Sequence, residues 1–249
     1  MIVANEDQFV GFAINSVLPF VDQLIVFDTG STDKTVEVIR SIKSPKIVFE
    51  EKGQVNAKQL VALRNEQIRN TKTEFFMLVD GDEIWPKRQL EKFVKEMTNS
   101  FKDKLAFFCR TRNAVGDIYH YLPESAGRYH IDGQVGHLSM RGFRNVSGLA
   151  LEGKYPLETY TYQGKSLNNW EERLQYVDVW YLHTTHLQRS SENKEIMGFR
   201  RQIMEKGISF SPGELPEVLP ESMPRRPVYF EIIATIITPF KEFKRHAQI

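Results

Sequence analysis

The sequence predicts an α/β fold in which a mostly parallel sheet is flanked by helices. Short apolar runs of branched and aromatic residues, at 24–27 and 75–79, are typical of strands that are buried on both faces. These runs alternate with helical patterns at the spacing of β–α–β units. Both runs lead into an aspartate, Asp28 and Asp80, and open α/β sheets bind their ligands at this edge.

Composition excludes several classes of function. The 249 residues suffice for one large α/β domain, and a net charge of +1 gives no reason to expect nucleic acid as a partner. The single cysteine, Cys109, excludes an internal disulfide framework and a cysteine-based zinc cluster. Residues 1–14 lack the pattern of a signal peptide, and no apolar run could span a bilayer. We therefore expect a cytoplasmic location.

The pattern along the chain predicts each element in turn. A short first strand at MIVANED leads into a helix that carries Phe9, Phe12 and Val17 on one face and ends near Pro19. Residues 113–148 show no clear period and are predicted to be irregular. The further strands are predicted at 24–27, 46–49, 75–79, 104–110 and 179–183, and the further helices at 36–42, 57–69, 90–97, 190–203 and 228–246.

The sequence DGDE directly follows the apolar run at 75–79. If the extended geometry continues, Asp80 and Asp82 point to one side and Gly81 to the other. Paired carboxylates at one strand end can hold a hard divalent cation, which could share its ligation with a diphosphate. Gly81 would leave room for a ligand close to the backbone. A polar turn at the end of a strand is the alternative explanation.

Three motifs together resemble a known family. The order VFDTGSTDKT, then RN on a helix, then a strand into DGDE followed by Pro86 resembles the nucleotide-sugar half of inverting family 2 glycosyltransferases with the GT-A fold. The resemblance covers roughly residues 1–100. No G-x-G-x-x-G turn and no GxxxxGK[ST] loop is present, which removes the two commonest nucleotide-binding motifs.

The resemblance implies a donor site at the strand ends. It implies that Asp28 holds the nucleoside base, that Arg64 lies near the nucleotide, and that Asp80 contacts the ribose. Thr29 departs from the family, where many members carry a second aspartate. Because a carboxylate at Asp28 can pair with a ring N–H, the favoured donor is a UDP-sugar. The residues predicted to bind the donor are Ala4, Asn5, Glu6, Asp28, Arg64, Asp80 and Gly81.

The metal site is predicted from the same resemblance. Asp82 would hold Mn²⁺ or Mg²⁺ with the diphosphate. His183 ends an apolar strand, where some GT-A enzymes take a histidine ligand, and an imidazole can join carboxylates on Mn²⁺. His186 is a second candidate. The alternative is that one histidine is hydrogen-bonded in the core and the other is solvated.

The catalytic base is predicted in the acceptor half. A branch of the family carries a G-x-x-H-E stretch after a strand with arginine and phenylalanine, and Glu158 takes the place of that glutamate, with Leu157 in place of the histidine. The pair Glu171 and Glu172 resembles a second family motif, and Glu172 is the other catalytic candidate. The alternative for that pair is the solvated face of a short helix. Glu152 is a weaker fourth acid.

The domain prediction is one GT-A domain at 1–210, with a nucleotide-sugar half at 1–100 and an acceptor half at 101–210. A Pro-rich arm and an amphipathic C-terminal helix follow at 211–249. That helix could dock on anionic lipid at the inner face of the membrane, pack on the domain, or mediate dimerisation. Its basic residues are Lys241, Lys244 and Arg245.

The predicted function is metal-dependent transfer of a sugar from a nucleoside diphosphate sugar to a glycan or lipid-linked acceptor, with inversion. We expect such a transfer to serve the synthesis of cell-surface polysaccharide, lipopolysaccharide or glycolipid. The alternatives are a non-catalytic GT-A scaffold that acts as a binding module, a sugar-phosphate nucleotidyltransferase, and a phosphatase that uses DxD. The second alternative would be expected to show a Gly-rich basic loop after the first strand, and the third a nucleophilic DxDGT strand at the start.

Overall fold

The computed structural model describes residues 1–192, 203–220 and 222–246 and confirms the α/β prediction. The predicted helix at 190–203 falls largely outside the described residues. The amino-terminal unit contains β1 (Ile2–Val3), α1 (Val10–Val17), β2 (Leu24–Asp28), α2 (Thr35–Ser41), β3 (Ile47–Glu51) and α3 (Ala57–Asn70). The three strands are parallel in the order β1-β2-β3, as predicted for this part of the chain.

The remaining elements follow at the predicted places and at several that were not predicted. They are β4 (Phe75–Met77), β5 (Glu83–Ile84), α4 (Lys87–Thr98), β6 (Ala106–Val115), β7 (Asp117–Tyr121), β8 (Tyr129–Ile131), β9 (Gln134–Gly136), β10 (Leu138–Arg144), β11 (Leu149–Glu152), β12 (Thr159–Tyr162), β13 (Lys165–Ser166), β14 (Leu174–His183), β15 (Ile208–Ser209) and α5 (Val228–His246).

Seven of these strands form a mixed sheet. Its main path is β15-β7-β6-β10-β4, and β14 lies between β6 and β5. The pairing of β14 with β6 is parallel, whereas the other pairs are antiparallel. The prediction that residues 113–148 are irregular was wrong, because this stretch holds four strands. Their antiparallel hairpins have short runs that a periodicity search does not separate from loops.

The strand before DGDE is less buried than predicted. Phe75, Phe76, Met77 and Leu78 are half-buried, and Val79 alone is buried. The reason is a cavity of about 600 Å³ that lies between β2, β4, α3 and α4. One edge of β4 pairs with β10, and its other side borders this cavity.

The main core lies between the first sheet, α1, α4 and β14. Trp85 stacks on Tyr181 with 4.8 Å between ring centroids and packs against Phe93 at 5.2 Å, and all three side chains are buried. Cys109 belongs to the same core, and burial raises the pKa of its thiol. This core fixes β14 and the chain after β4 against each other, and both carry residues of the site described below.

The C-terminal helix packs on the sheet with one face and leaves the other face in solvent. Phe230 and Ala234 are buried in a cluster with Val115 and Leu122. On the other face the large apolar side chains are exposed: Tyr229 61%, Ile232 58%, Ile236 62%, Phe240 69% and Phe243 74%. None of the helices within the described ranges is long and apolar enough to cross a membrane.

Candidate active site

The carboxylates after β4 lie in contact with arginines from two other elements. Asp80 Oδ1 is 2.8 Å from Arg64 Nη2 on α3, and Asp80 Oδ2 is 3.7 Å from Arg141 Nη2 on β10. Burial by itself would raise the pKa of Asp80, but the two guanidinium groups outweigh it and lower that pKa. Asp80 is therefore held as a carboxylate. The structure thus brings Asp80 and Arg64 together, as the sequence predicts.

Glu83 is a buried acid beneath this pair that the sequence analysis did not assign to the site. It is fully buried, forms an ion pair with Arg141, and accepts a hydrogen bond of 3.2 Å from the backbone N–H of Asp80. Burial raises the pKa of Glu83, and Arg141 acts against that shift. Arg141 also donates to the Tyr181 hydroxyl at 3.0 Å. Glu83 and Arg141 therefore hold the turn at residues 80–83 in place.

Asp82 points to a different set of partners. Its Oδ2 lies 3.3 Å from His183 Nε2 and 3.3 Å from Arg189 Nη1. Its backbone carbonyl accepts hydrogen bonds from the N–H and the hydroxyl of Thr184, at 2.9 and 3.2 Å. These bonds join the turn after β4 to the end of β14. Asp82 and His183, the two predicted metal ligands, are thus adjacent.

The orientation of His183 is fixed from behind by Asn113 on β6. His183 Nδ1 is 3.1 Å from Asn113 Oδ1, and because an amide oxygen only accepts, Nδ1 carries the proton and Nε2 faces Asp82. Asn113 Nδ2 is in turn 2.9 Å from His137 Nδ1. Burial lowers the pKa of His183, but the Asp82 carboxylate more than offsets it, and the net direction is upward.

Gly81 is required by packing. A Cβ at this position would lie 2.9 Å from Val3 Cγ1 and 3.2 Å from Glu6 Cγ. Any larger residue would push the turn at 80–83 away from the turn that follows β1. The sequence analysis predicted that Gly81 leaves room for a ligand, whereas the structure shows that it leaves room for Val3 and Glu6.

The turn after β1 is bound to the turn after β2. Asn5, at a positive φ of 56°, accepts hydrogen bonds from the N–H groups of Thr32 at 2.8 Å and Asp33 at 3.3 Å. The N–H of Glu6 donates to Thr35 Oγ1 at 2.8 Å, and its carboxylate pairs with Arg189. Ala4 is exposed in the same turn. Asn5 thus holds the turn, and Glu6 faces the Asp82 group.

Asp28 is almost fully buried, and its carboxylate is used within its own turn. Asp28 Oδ2 accepts from the N–H groups of Gly30 at 2.9 Å and Ser31 at 3.0 Å, and Oδ1 accepts from the Ser31 hydroxyl. A carboxylate offers about four acceptor positions, so one position is left for a base. Recognition of a base by Asp28 stays a prediction.

The predicted acceptor half contacts the site through α3. Asn65, next to Arg64, exchanges two hydrogen bonds of 2.8 Å with the backbone of Leu151 on β11. The β11–β12 hairpin carries Glu158 and Tyr160. Burial raises the pKa of Tyr160 to about 12, and the charges of Arg64, Arg141, Asp80 and Glu158 act on the same hydroxyl. The RN pair of α3 thus contacts Asp80 with one residue and the acceptor half with the other.

Glu158 has a free acceptor atom in this region. Its Oε2 is buried and accepts no hydrogen bond from any described residue. The Tyr160 hydroxyl is likewise buried without a partner among the described residues. Buried polar atoms are normally hydrogen-bonded, and a group that is not calls for an explanation. An acceptor hydroxyl in this space is one such explanation.

Glu172 lies away from the Asp82 group, and a catalytic role for it stays a prediction. Glu171 and Glu172 are exposed in a short 3-10 helix that precedes β14, whereas His183 lies at the far end of that strand. At about 3.3 Å per residue, the strand separates Glu172 from His183 by more than about 20 Å. The solvated alternative applies to both acids. Glu152 is also exposed.

Sequence reasoning missed Arg141, Arg189 and Asn113 as residues of the site. Each reaches the site through long-range contacts and belongs to no short motif. Arg141 lies in the strand with arginine and phenylalanine that precedes Glu158, and its contact with Glu83 depends on the pairing of β10 with β4. His186 lies in the turn after β14 with its Nδ1 buried.

Comparison with known proteins identifies a family. The model of the family described as Glycosyl transferase family 2 matches residues 1–145, which is more than half of the chain. No curated protein is significantly similar to the chain in sequence.

Three solved structures are among those that this chain matches. S. aureus TarS 1-349 is 14% identical over 74% of this chain and 58% of its own, with a TM-score of 0.47. Glucosyl-3-phosphoglycerate synthase from Mycobacterium tuberculosis, in complex with Mn²⁺, UDP and glucosyl-3-phosphoglycerate, is 15% identical over 74% and 70%, with a TM-score of 0.47. Mannosyltransferase PcManGT from Pyrobaculum calidifontis, with GDP-Man and Mn²⁺, is 18% identical over 57% and 42%, with a TM-score of 0.40. The chain thus spans about three fifths of the length of TarS 1-349.

Proposed function

This chain belongs to glycosyl transferase family 2, and on that premise we propose that it transfers a sugar from a nucleoside diphosphate sugar to an acceptor hydroxyl with inversion. The observation that carries this proposal is that the two carboxylates after β4 have different partners. Asp80 is neutralised by two arginines, whereas Asp82 faces an imidazole and a guanidinium at longer distances. Asp80 and Asp82 in these surroundings could bind a donor with a charged diphosphate, one through its ribose and the other through a cation on the diphosphate.

The side chains around Asp82 fit a divalent cation. A carboxylate oxygen lies 3.3 Å from an imidazole nitrogen whose other nitrogen is already hydrogen-bonded, and both are ligands that Mn²⁺ accepts. No group of three such ligands occurs within the described residues. Diphosphate and water oxygens would therefore complete the shell, as is usual for Mg²⁺ at phosphate sites. When bound, the cation supplies charge neutralisation to the leaving diphosphate.

The residues of this chain perform the remaining tasks. Arg64 and Arg141 hold Asp80 ionised at the floor of the site, where we propose that it contacts the ribose. Glu158 accepts the proton of the acceptor hydroxyl as that oxygen attacks the anomeric carbon. The bond to the diphosphate breaks on the opposite side of the sugar, so one in-line displacement inverts the centre without a covalent enzyme intermediate.

The identity of the donor rests on Asp28. The one acceptor position left on its carboxylate can pair with the ring N–H of uracil, and we propose a UDP-sugar on this ground. A thermal-shift panel of UDP, GDP and ADP with and without Mn²⁺ tests both parts, because a ligand raises the apparent stability by mass action. We expect stabilisation by UDP with Mn²⁺ above all other pairs. Equal stabilisation by purine and pyrimidine diphosphates would remove the role of Asp28.

The acceptor and the location are proposed from the C-terminal helix. The exposed apolar face of α5 suits contact with the inner face of a membrane or dimerisation, and a membrane-bound enzyme would act on a lipid-linked or cell-surface glycan. Flotation with anionic vesicles and sedimentation velocity separate these two outcomes. Transfer itself is tested by donor hydrolysis without acceptor: absence of hydrolysis in a protein that binds UDP and Mn²⁺ would favour a non-catalytic binding module.

A further inference from the structure

Arg189 contacts Asp82, the carboxylate that we propose holds the divalent cation. It lies six residues after the end of β14, and its Nη1 contacts both Asp82 Oδ2, at 3.3 Å, and Glu6 Oε1. The side chains of Glu6 and Asp82 are 7% and 4% exposed, so two nearly buried carboxylates share this one guanidinium. Unpaired buried charges are costly, and the single positive charge of Arg189 offsets part of the negative charge of both carboxylates.

The backbone on either side of Arg189 is attached to the turn after β1. The Arg189 carbonyl accepts from the N–H of Gln8 at 3.0 Å, and the N–H of Ser191 donates to Asp7 Oδ1 at 2.8 Å. The Ser191 hydroxyl also bonds Asp7 Oδ2. The guanidinium is therefore delivered by a fixed main chain, and only its side-chain torsions need to change for it to reach another partner.

A divalent cation on Asp82 would lie close to the Arg189 guanidinium. His183 Nε2 and Arg189 Nη1 each lie 3.3 Å from Asp82 Oδ2, so a cation bound to this oxygen and to His183 would compete with Nη1 for the same oxygen. Two positive groups at this separation also repel each other in a site of low dielectric. Metal binding therefore displaces the guanidinium from Asp82.

We propose that Arg189 is a donor-binding residue that exchanges partners: it pairs with Asp82 before loading and with the diphosphate of the donor once a cation is on Asp82. The guanidinium has five N–H donors in a planar fork that suits two phosphate oxygens. Glu6 keeps the side chain close to the site during the exchange. This inference rests on the proposed function and deepens it, because it links metal binding to nucleotide binding through one side chain.

The exchange predicts opposite effects of one substitution on two ligands. Arg189→Met removes the competitor for Asp82, so Mn²⁺ alone should bind roughly three- to fivefold more tightly, the equivalent of one partly exposed ion pair. The same variant loses charge-assisted hydrogen bonds to phosphate, so UDP in saturating Mn²⁺ should bind roughly 10- to 100-fold more weakly. A purely structural role would weaken both.

The experiment uses the full chain, with Mn²⁺ binding followed by the electron paramagnetic resonance signal of the free ion and UDP binding by calorimetry. Arg189→Lys retains the charge but not the fork, and should restore the Mn²⁺ affinity of the wild type while restoring UDP affinity only in part. Arg40→Met is the matched control, because Arg40 forms an exposed pair with Glu51 and its loss changes the net charge equally. Circular dichroism confirms that each variant is folded.

The outcomes separate the inference from the proposed function. If Arg189→Met binds Mn²⁺ no more tightly than the wild type, or binds UDP equally well, the exchange is overturned while the function stands. If the wild-type protein binds neither Mn²⁺ nor UDP, the proposed function and the exchange fall together. Equal changes in Arg40→Met would assign the effect to net charge and overturn the role of Arg189.

Discussion

Two groups of charged side chains in this protein, each a mixture of buried and half-buried residues, differ in the lengths and numbers of their hydrogen bonds and ion pairs. The site cluster consists of Arg64, Asp80, Asp82, Glu83, Arg141, His183 and Arg189. The arm cluster, which attaches the C-terminal arm and helix to the sheet, consists of Asp117, Glu205, Arg226, Glu231 and Arg245.

In the arm cluster the contacts are short and paired. Arg226 donates to both oxygens of Glu231, at 2.7 and 3.0 Å, and its N–H donates to Asp117 Oδ2 at 3.1 Å. Asp117 Oδ1 also accepts from His120 at 2.7 Å. Bidentate pairs of this kind have defined geometry and leave few positions for a ligand.

In the site cluster the contacts around Asp82 are longer and shared. One carboxylate oxygen has an imidazole and a guanidinium each at 3.3 Å, and a buried oxygen of Glu158 has no partner within the described residues. Burial of charge is thus common to both clusters and does not distinguish them. The arm cluster also has a buried atom without a partner among the described residues, Arg245 Nη1, but that atom is a donor. The site differs in that its unpartnered atom, Glu158 Oε2, is an acceptor, which an acceptor hydroxyl can use.

The largest expected effect tests the contacts that His183 and Arg189 share at Asp82. Asp82→Asn removes the charge that would hold the cation, and we expect turnover to fall at least about 10³-fold, since a bound metal contributes several kcal/mol of charge stabilisation. Mn²⁺-dependent binding of UDP should vanish in the thermal-shift assay while the fold is retained. A variant that keeps the Mn²⁺ dependence of the wild type would show that Asp82 holds no metal.

The second effect tests the unpaired oxygen of Glu158. Glu158→Gln keeps the size of the side chain but cannot accept a proton, so turnover should fall by roughly two to four orders of magnitude while donor affinity is unchanged. Steady-state kinetics with saturating donor measures this split. Glu172→Gln is the control and should resemble the wild type, because Glu172 lies at the other end of β14. The reverse ranking would contradict the placement of the base.

A smaller effect is expected in the arm cluster, and it should appear in stability alone. Asp117→Asn replaces an acceptor of three hydrogen bonds with an amide that cannot satisfy all of them, and we expect a loss of about 2 kcal/mol in the free energy of unfolding. Urea unfolding measures this loss. UDP binding at a temperature where the variant is folded should be unchanged. A clear loss of UDP affinity would mean that the two clusters are coupled.

The smallest expected effect is the pH dependence of the stability that Asp117 contributes. Burial raises the pKa of Asp117, but the hydrogen bonds from His120 and from the backbone of Arg226 outweigh it, and the pKa lies below 3.8 in the folded protein. A carboxyl group whose folded pKa is lowered contributes stability above its unfolded pKa, and this contribution is lost as the pH falls through the folded pKa. The stability difference between the wild type and Asp117→Asn should therefore shrink below about pH 3.8. A difference independent of pH from 7 to 3 would contradict this assignment.

The sequence indicated the residues of short motifs better than the residues that contact them. Asp80 and Asp82 belong to a motif that follows a strand and Arg64 to a motif within a helix, and the order of strands and helices alone brings them to one edge. Arg189, Arg141 and Asn113 enter only when distant strands pair, as β14 does with β6 and β10 does with β4. No local pattern encodes those contacts.

The two candidate glutamates show the same limit. Glu158 and Glu172 each resemble a family motif. They differ in which end of the sheet they reach, and β-strand length decides that. The register of β14 with β6, from Leu174 opposite Ala106 to His183 opposite Asn113, places Glu172 at the end opposite His183. The hydrogen bonds of Asn65 to Leu151 place the hairpin of Glu158 beside α3.

The burial of Cys109 has a practical consequence for labelling chemistry. The thiol is the single one in the chain, it is fully buried, and its raised pKa keeps it protonated at neutral pH, so maleimides and other thiol reagents should not modify the native protein. An introduced surface cysteine would then be the sole attachment point, with no need for a cysteine-free background. Leu157 is 87% exposed and immediately precedes Glu158. A fluorophore at Leu157→Cys would report directly on molecules that enter the acceptor side.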